Sequence, residues 1–344
     1  MDNLSAVLYG KDDIRMENTP MPVINDNDVL IRMDSVGICG SDVHYFVEGR
    51  IGDFVVKSPM VLGHESSGIV ESIGKDVKHL TTGDRVAIEP GVPCRYCDFC
   101  KNGRYNLCPD IKFAATPPVD GTLRRFYAHS ADFCFKLPDN VTLEEGALLE
   151  PLSVGVHACR RAEVGIGKNV LVLGAGPIGL VNLMVAKAMG AKRVVITDID
   201  NNRLSLASKI GADATVNVKE CQDVSNVIRD AFEGSPDITI ECSGAERSVQ
   251  LGIMVTKSGG CMVLVGLGNR QMNIPIVNAA CREVDIRGIF RYANCYPIAL
   301  DLVARGVVNV KPLITHRFNL EETVNAFQTS KAGAGNCVKV MIRC

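Results

Sequence analysis

Between Lys168 and Asp198 the chain reads Lys168-Asn-Val-Leu-Val-Leu-Gly174-Ala-Gly176-Pro-Ile-Gly179, then a mostly apolar stretch through Met189-Gly190, then Arg193-Val-Val-Ile-Thr-Asp198. No other segment restricts the possible folds as much. A continuous Val/Leu run is what a strand buried on both faces looks like, and this one passes directly into G-x-G-x-x-G. The glycines answer three different physical needs. Gly174 allows the tight strand-to-helix turn, Gly176 lets backbone come close to a pyrophosphate, and Gly179 lets the helix pack close to the strand. The free N–H groups at the helix start would receive phosphate charge. Asp198 follows Gly179 by 19 positions, at the end of the second β run. There a carboxylate accepts hydrogen bonds from both adenosine-ribose hydroxyls and repels a 2′-phosphate, so the expected cofactor is NAD.

At 344 residues the chain exceeds what one core usually covers, and two domains are expected. Hydrophobic residues make up 47%, charged residues 22%, and the formal net charge is -2, which recommends neither a nucleic-acid nor a membrane partner. No apolar run reaches the roughly 18 residues of a membrane span, and Met1-Asp-Asn-Leu-Ser-Ala lacks the pattern of a signal peptide, so a cytoplasmic location is expected. Most of the 14 cysteines are scattered singly in apolar runs, which favours reduced thiols and metal ligands over a disulfide scaffold.

Before the fingerprint come short strand-like segments, Ser5–Tyr9, Asp28–Met33, Ser67–Ile73 and Asp84–Ile88, punctuated by Pro20, Pro22, Gly74 and Gly83. They predict an antiparallel barrel or sandwich. Within it lie Gly37-Ile-Cys39-Gly-Ser41-Asp-Val-His44 and Leu62-Gly-His64-Glu65, and later Glu150 follows an apolar run. Cys39, His64 and Glu65 form a mixed sulfur, nitrogen and oxygen set that suits zinc, and a buried Glu150 would need a partner such as a metal. Taken singly, each reads first as a core thiol, a satisfied core histidine or a surface carboxylate.

A second cluster is tighter. Cys94, Cys97, Cys100 and Cys108 give C-x₂-C-x₂-C-x₇-C, and four thiolates close a tetrahedral shell without an open position, as in structural zinc sites. An iron–sulfur cluster is the rival, and Pro109 does follow Cys108, but the bacterial iron–sulfur run keeps its last cysteine closer.

Past Asp198 the αβ alternation continues through helix 202–210, a strand near Thr215, helix 223–232, strand 238–242, helix 246–256, strand 261–265 and strand 284–289. This completes a six-stranded doubly wound sheet, with Gly266 ending a strand on its ligand edge. After Phe290 the pattern changes to a helix at 296–304, Val310–His316, a helix at 320–331 and a terminal strand at 336–342. Such a tail would rejoin the first domain, which makes the cofactor domain an insertion and places substrate in the cleft between domains.

These motifs, in this order and over essentially the full length, resemble the zinc-dependent medium-chain dehydrogenases. Further strings resemble the polyol branch: Glu89-Pro-Gly-Val-Pro-Cys94, Arg104-Tyr-Asn-Leu-Cys108, Phe113-Ala-Ala-Thr-Pro-Pro118 with Asp120-Gly121, Glu145 to Gly155, and Phe290-Arg-Tyr292. The resemblance implies an α/β fold, with a doubly wound Rossmann domain (153–289) inserted in a mainly-β GroES-like catalytic domain (1–152 and 290–344). It implies that Cys39, His64 and Glu65 bind a catalytic zinc, with Glu150 meeting it through water, and that the four-cysteine lobe binds a second. Ser41 and His44 match a proton relay, and Tyr45, Phe113, Thr116, Arg291 and Tyr292 match the substrate pocket. Besides Gly174, Gly176, Gly179, Asp198 and Gly266, the cofactor would meet Ile178, Arg203, Val265, Leu267, Ile289, Phe290 and Arg291. The implied activity is NAD-dependent oxidation of a polyol such as sorbitol, xylitol or L-iditol to its 2-ketose, by a homotetramer or homodimer. Xylitol, threonine and primary-alcohol dehydrogenases are the rivals within the family; Arg291 with Tyr292, able to grip several hydroxyls, favours a polyol, and xylitol shares its reacting end with sorbitol. A non-catalytic zinc-stabilised NAD-binding protein would need damaged ligands, and all four are intact.

Overall fold

The structure is a computed structural model describing residues 2–344, and it divides into two compact units. The first comprises Met1–Glu150, Tyr296–Arg305 and Leu313–Cys344. Its main sheet runs in the order Cys134–Lys136, Arg85–Ile88, Glu65–Ile73, Asp28–Gly37, Lys339–Arg343, Ile314–Asn319, with Phe126–Ser130 also paired to Asp28–Gly37. Every pairing in it is antiparallel except that of the last two strands. Leu8, Ile31, Met33, Phe46, Leu62, Ile88, Leu123 and Phe327 are among the fully buried side chains of its core. Each contributes roughly 1.5–3 kcal/mol by leaving water. Val29, Ile31 and Met33 face the same core from a strand whose intervening residue Arg32 is exposed, the period of two that a half-buried strand requires.

The second unit comprises Pro151–Cys295 and Gly306–Pro312. Its six parallel strands are β1 (Asn169–Leu173), β2 (Arg193–Asp198), β3 (Ala214–Asn217), β4 (Ile238–Glu241), β5 (Cys261–Leu264) and β6 (Asp285–Gly288), in the spatial order β3-β2-β1-β4-β5-β6. This is the doubly wound sheet expected from the sequence. The strand order reverses between β1 and β4, which defines a crevice at their carboxyl ends. Gly174 adopts φ +100 at the end of β1, and a Cβ on Gly179 would collide with the Gly174 carbonyl oxygen, so both glycines are required by the turn.

Helices outside those expected from the sequence include Gly40–Glu48, Leu149–Arg161 and Ile276–Cys281. Leu149–Arg161 contains Pro151 and Gly155, which read as breakers, but a proline in the first turn removes only an N–H that has no helical partner. Ile276–Cys281 is too short for its periodicity to register. No helix among the described residues is long and apolar enough to cross a membrane.

Candidate functional site

Strand pairing assembles the first cluster. Glu65–Ile73 and Asp28–Gly37 run antiparallel with Gly37 opposite Glu65, so the residues just beyond the paired ends, Cys39 and His64, meet. Lys339–Arg343 pairs on the other edge with Met341 opposite Gly37, and the Ile38 N–H reaches the Val340 carbonyl at 2.9 Å, which brings Lys339 to the same place. Candidate ligand atoms of Cys39, His64 and Glu65 all lie within 4.8 Å of one another, with His64 and Glu65 buried. A borderline metal ion fits this donor set of one thiol, one imidazole and one carboxylate.

Two residues that sequence reasoning left without a role hold the cluster. Asp42, fully buried, accepts the Cys39 N–H at 3.0 Å and the Gly63 N–H at 3.1 Å, and its Oδ1 lies 3.4 Å from His64 Nδ1, outside hydrogen-bond geometry. Burial opposes charge on both partners, yet their attraction prevails: the His64 ring sits well above its ordinary pKa and Asp42 below its own. An imidazole so oriented keeps its other nitrogen for a metal. Lys339 Nζ grips both oxygens of Glu65 at 2.6 and 2.7 Å and also donates to the Ile38 carbonyl at 3.0 Å. Burial alone would lower the Lys339 pKa, but Glu65 and Cys39 outweigh it and raise it. A lysine inside the apolar terminal strand was the available signal, since a buried ammonium needs an anion.

Glu150 is buried at the start of Leu149–Arg161 and stands outside the three-residue group. Its charge acts on Lys339 and on Glu89. Burial, opposed by a 2.6 Å hydrogen bond from Tyr105 and reinforced by Glu150, pushes Glu89 up to about 7. Ser41, His44 and Tyr45 share the helix Gly40–Glu48, with Ser41 half-buried and His44, three positions on, exposed. Tyr45 is buried, Phe113 stands 5.8 Å from His64 between ring centroids, and Thr116 is half-buried.

The four cysteines also converge. Cys97 caps the short helix Asp98–Lys101, and its N–H donates to Cys94 Sγ as the Cys94 N–H does to Cys108 Sγ, both at 3.4 Å. Cys97 and Cys100 Sγ are 3.5 Å apart, and Cys94 and Cys100 Sγ 3.8 Å. Thiolates about 2.3 Å from a tetrahedral zinc lie about 3.8 Å from each other, so the lobe fits that ion. Desolvation raises the Cys94 thiol, but N–H groups of Tyr96 and Cys97 outweigh it and bring it down to about 7. Burial and the neighbouring thiol of Cys97 push Cys100 up to about 12. Elemental analysis should therefore find about two zinc per chain, and Cys97→Ser should leave about one; an unchanged count would remove the lobe as a metal site.

In the second unit, the Asp198 carboxylate accepts the Ala175 N–H at 2.6 Å on one oxygen and the Ile199 and Asp200 N–H groups at 2.8 and 3.0 Å on the other. It therefore braces the glycine turn as well as standing at the end of β2. Ile178 and Arg203 are half-buried near this turn, in helices Pro177–Ala188 and Asn201–Lys209. Val265 and Gly266 are half-buried after β5, Leu267 is exposed, and Ile289 and Phe290 follow β6. Arg291, at φ +52, lays its guanidinium 4.7 Å from the centroid of the Phe290 ring, and Tyr292 is buried.

Similarity to known dehydrogenases extends over both units. The alcohol dehydrogenase GroES-like domain profile matches residues 25–139, and the zinc-binding dehydrogenase profile residues 177–305. Sorbitol dehydrogenase of Mus musculus is 59% identical over 345 residues, covering 100% of this chain and 96% of that protein; the Rattus norvegicus enzyme is 60% identical with the same coverage. An Escherichia coli oxidoreductase of unknown specificity superposes with a TM-score of 0.96 at 36% identity, covering 100% of this chain and 99% of the other.

Proposed function

Because the chain belongs to the zinc-dependent alcohol dehydrogenase family, we propose that it is an NAD-dependent zinc polyol dehydrogenase, interconverting sorbitol and related polyols with their 2-ketoses. The observation that carries this is near-60% identity with sorbitol dehydrogenases along the whole chain. The convergence of Cys39, His64 and Glu65 supports it from geometry.

Cys39, His64 and Glu65 hold the catalytic metal, Asp42 orients His64, and Lys339 offsets the charge of Glu65. When bound, zinc supplies a Lewis acid that brings a hydroxyl pKa toward neutrality, and NAD⁺ supplies the hydride acceptor. Glu150 receives the hydroxyl proton, and Ser41 and His44, on one face of their helix, pass it to solvent. Tyr45, Phe113 and Thr116 shape the pocket, and Arg291 with Tyr292 holds substrate hydroxyls. Gly174, Gly176 and Gly179 let backbone meet the pyrophosphate, and Asp198 holds the ribose, with Ile178, Arg203, Val265, Gly266, Leu267, Ile289 and Phe290 along the cofactor. The domains are the cofactor domain near 153–289 and the catalytic domain formed by the rest.

Cysteines that form no disulfide among the described residues suit a reducing, cytoplasmic setting. A homodimer or homotetramer is supported by the edge position of β6 and by the exposed Ile276 and Val277, both of which a second copy would cover.

Asp198→Ala should weaken NAD⁺ and narrow the gap to NADP⁺ about tenfold, since the ribose loses a charged acceptor worth roughly 1.5–3 kcal/mol. Steady-state KM values for the two cofactors measure this, and a wild-type preference for NADP⁺ would transfer the 2′ position to Arg203. The function itself is tested by NAD⁺-linked turnover of polyols against simple alcohols and threonine, and the absence of a polyol preference would contradict it.

A further inference from the structure

The last residue of β4, Glu241, is fully buried and has no part in the proposed chemistry. Its carboxylate turns back on its own loop. Oε1 accepts the Ser243 N–H at 2.8 Å and the Ser243 hydroxyl at 2.5 Å, and the two oxygens share the Gly244 N–H at 3.0 and 3.1 Å. Its main-chain carbonyl accepts the N–H groups of Val265 and Gly266 at 2.8 and 3.0 Å. One residue thus ties the loop 242–245 to the turn after β5.

Position gives this tie its meaning. β4 adjoins β1 where the strand order reverses, and dinucleotides lie across that point. The loop abuts the first fingerprint glycine: the Cys242 N–H donates to the Leu173 carbonyl at 2.8 Å, and a Cβ on Gly174 would sit 3.2 Å from the Ser243 nitrogen. On its other side Gly244, at φ +72, packs so tightly on the Leu267 backbone that a Cβ would come within 2.7 Å of it. The glycine turn and Asp198 serve the adenosine half from β1 and β2, which leaves the β4–β5 side for the other half. A buried carboxylate is costly unless hydrogen-bonded, and here every bond goes to the crevice floor.

We propose that Glu241 is a positioning residue for the nicotinamide half of NAD, its carboxylate fixing the loop 242–245 against the turn after β5 that its main-chain carbonyl holds. This rests on the proposed NAD site, and the experiment separates the two. Zinc-loaded wild type is titrated with NADH and with ADP-ribose, which lacks the nicotinamide ring; binding of neither would overturn the cofactor reading and this inference with it. Glu241→Gln keeps the shape but turns an amide donor toward the Gly244 N–H. It should raise the Kd for NADH at least tenfold, leave that for ADP-ribose within twofold, and shift the fluorescence of bound NADH toward that of free NADH. Equal losses for both ligands, or none for NADH, would overturn the proposal. Should that variant fail to fold, Ser243→Ala, which deletes the 2.5 Å bond to Glu241 and the 3.2 Å bond that the Ser243 hydroxyl accepts from the Ala245 N–H, should weaken NADH about threefold and spare ADP-ribose, with the same contrary results.

Discussion

Metal-free protein carrying Lys339→Met should lose on the order of 3–5 kcal/mol of stability in urea denaturation, while the zinc-loaded variant loses distinctly less. Lys339 and Glu65 are respectively 2% and 0% exposed at their side chains, with Nζ 2.6 Å from the nearer oxygen. Removing one partner strands the other's charge in a dry interior, and this penalty is usually far larger than the net worth of the pair. A cation at Cys39, His64 and Glu65 gives the stranded carboxylate a new partner, so metal should rescue much of the loss. Equal destabilisation of both forms would mean that Glu65 is not a metal ligand.

Arg291→Ala should lower kcat/KM for sorbitol and xylitol on the order of 10²-fold while costing a monohydric secondary alcohol much less. The guanidinium is a rigid fork of donors, and its stack on Phe290 limits the orientations it can take. Hydroxyls that lose charge-assisted bonds give up about 1.5–3 kcal/mol each, whereas an alcohol with one reacting hydroxyl never formed those bonds. A purely cofactor-binding Arg291 would instead raise KM for NAD⁺ and penalise every alcohol alike. Proportionate losses for sorbitol and the simple alcohol would withdraw it from the polyol pocket.

What could be read from the sequence followed from local rules. β1 and β2 are continuous apolar runs because neighbouring strands and helices cover both faces, and the glycines between them answer a turn that other residues cannot make. Likewise the cysteine lobe is legible because all four cysteines lie within fifteen residues. Asp42 and Lys339 were not legible. Asp42 sits within the Gly37–His44 motif, but its partners at Gly63 and His64 are more than twenty positions away. Lys339 meets Glu65 across 274 positions, and only the register of three strands decides that they meet. Glu241 is similar: the residue ends a recognisable strand, but its inward turn onto Ser243 and Gly244 is a matter of side-chain direction that no periodicity encodes.

Steady-state kinetics of the zinc-loaded protein with NAD⁺ over sorbitol, xylitol, L-threonine, ethanol and a simple secondary alcohol tests the central claim most directly. Polyol dehydrogenase activity predicts kcat/KM for sorbitol or xylitol at least about 10²-fold above the other substrates, lost on metal removal and restored by zinc. Comparable turnover of ethanol or threonine, or oxidation of polyols that survives complete removal of zinc, would contradict it.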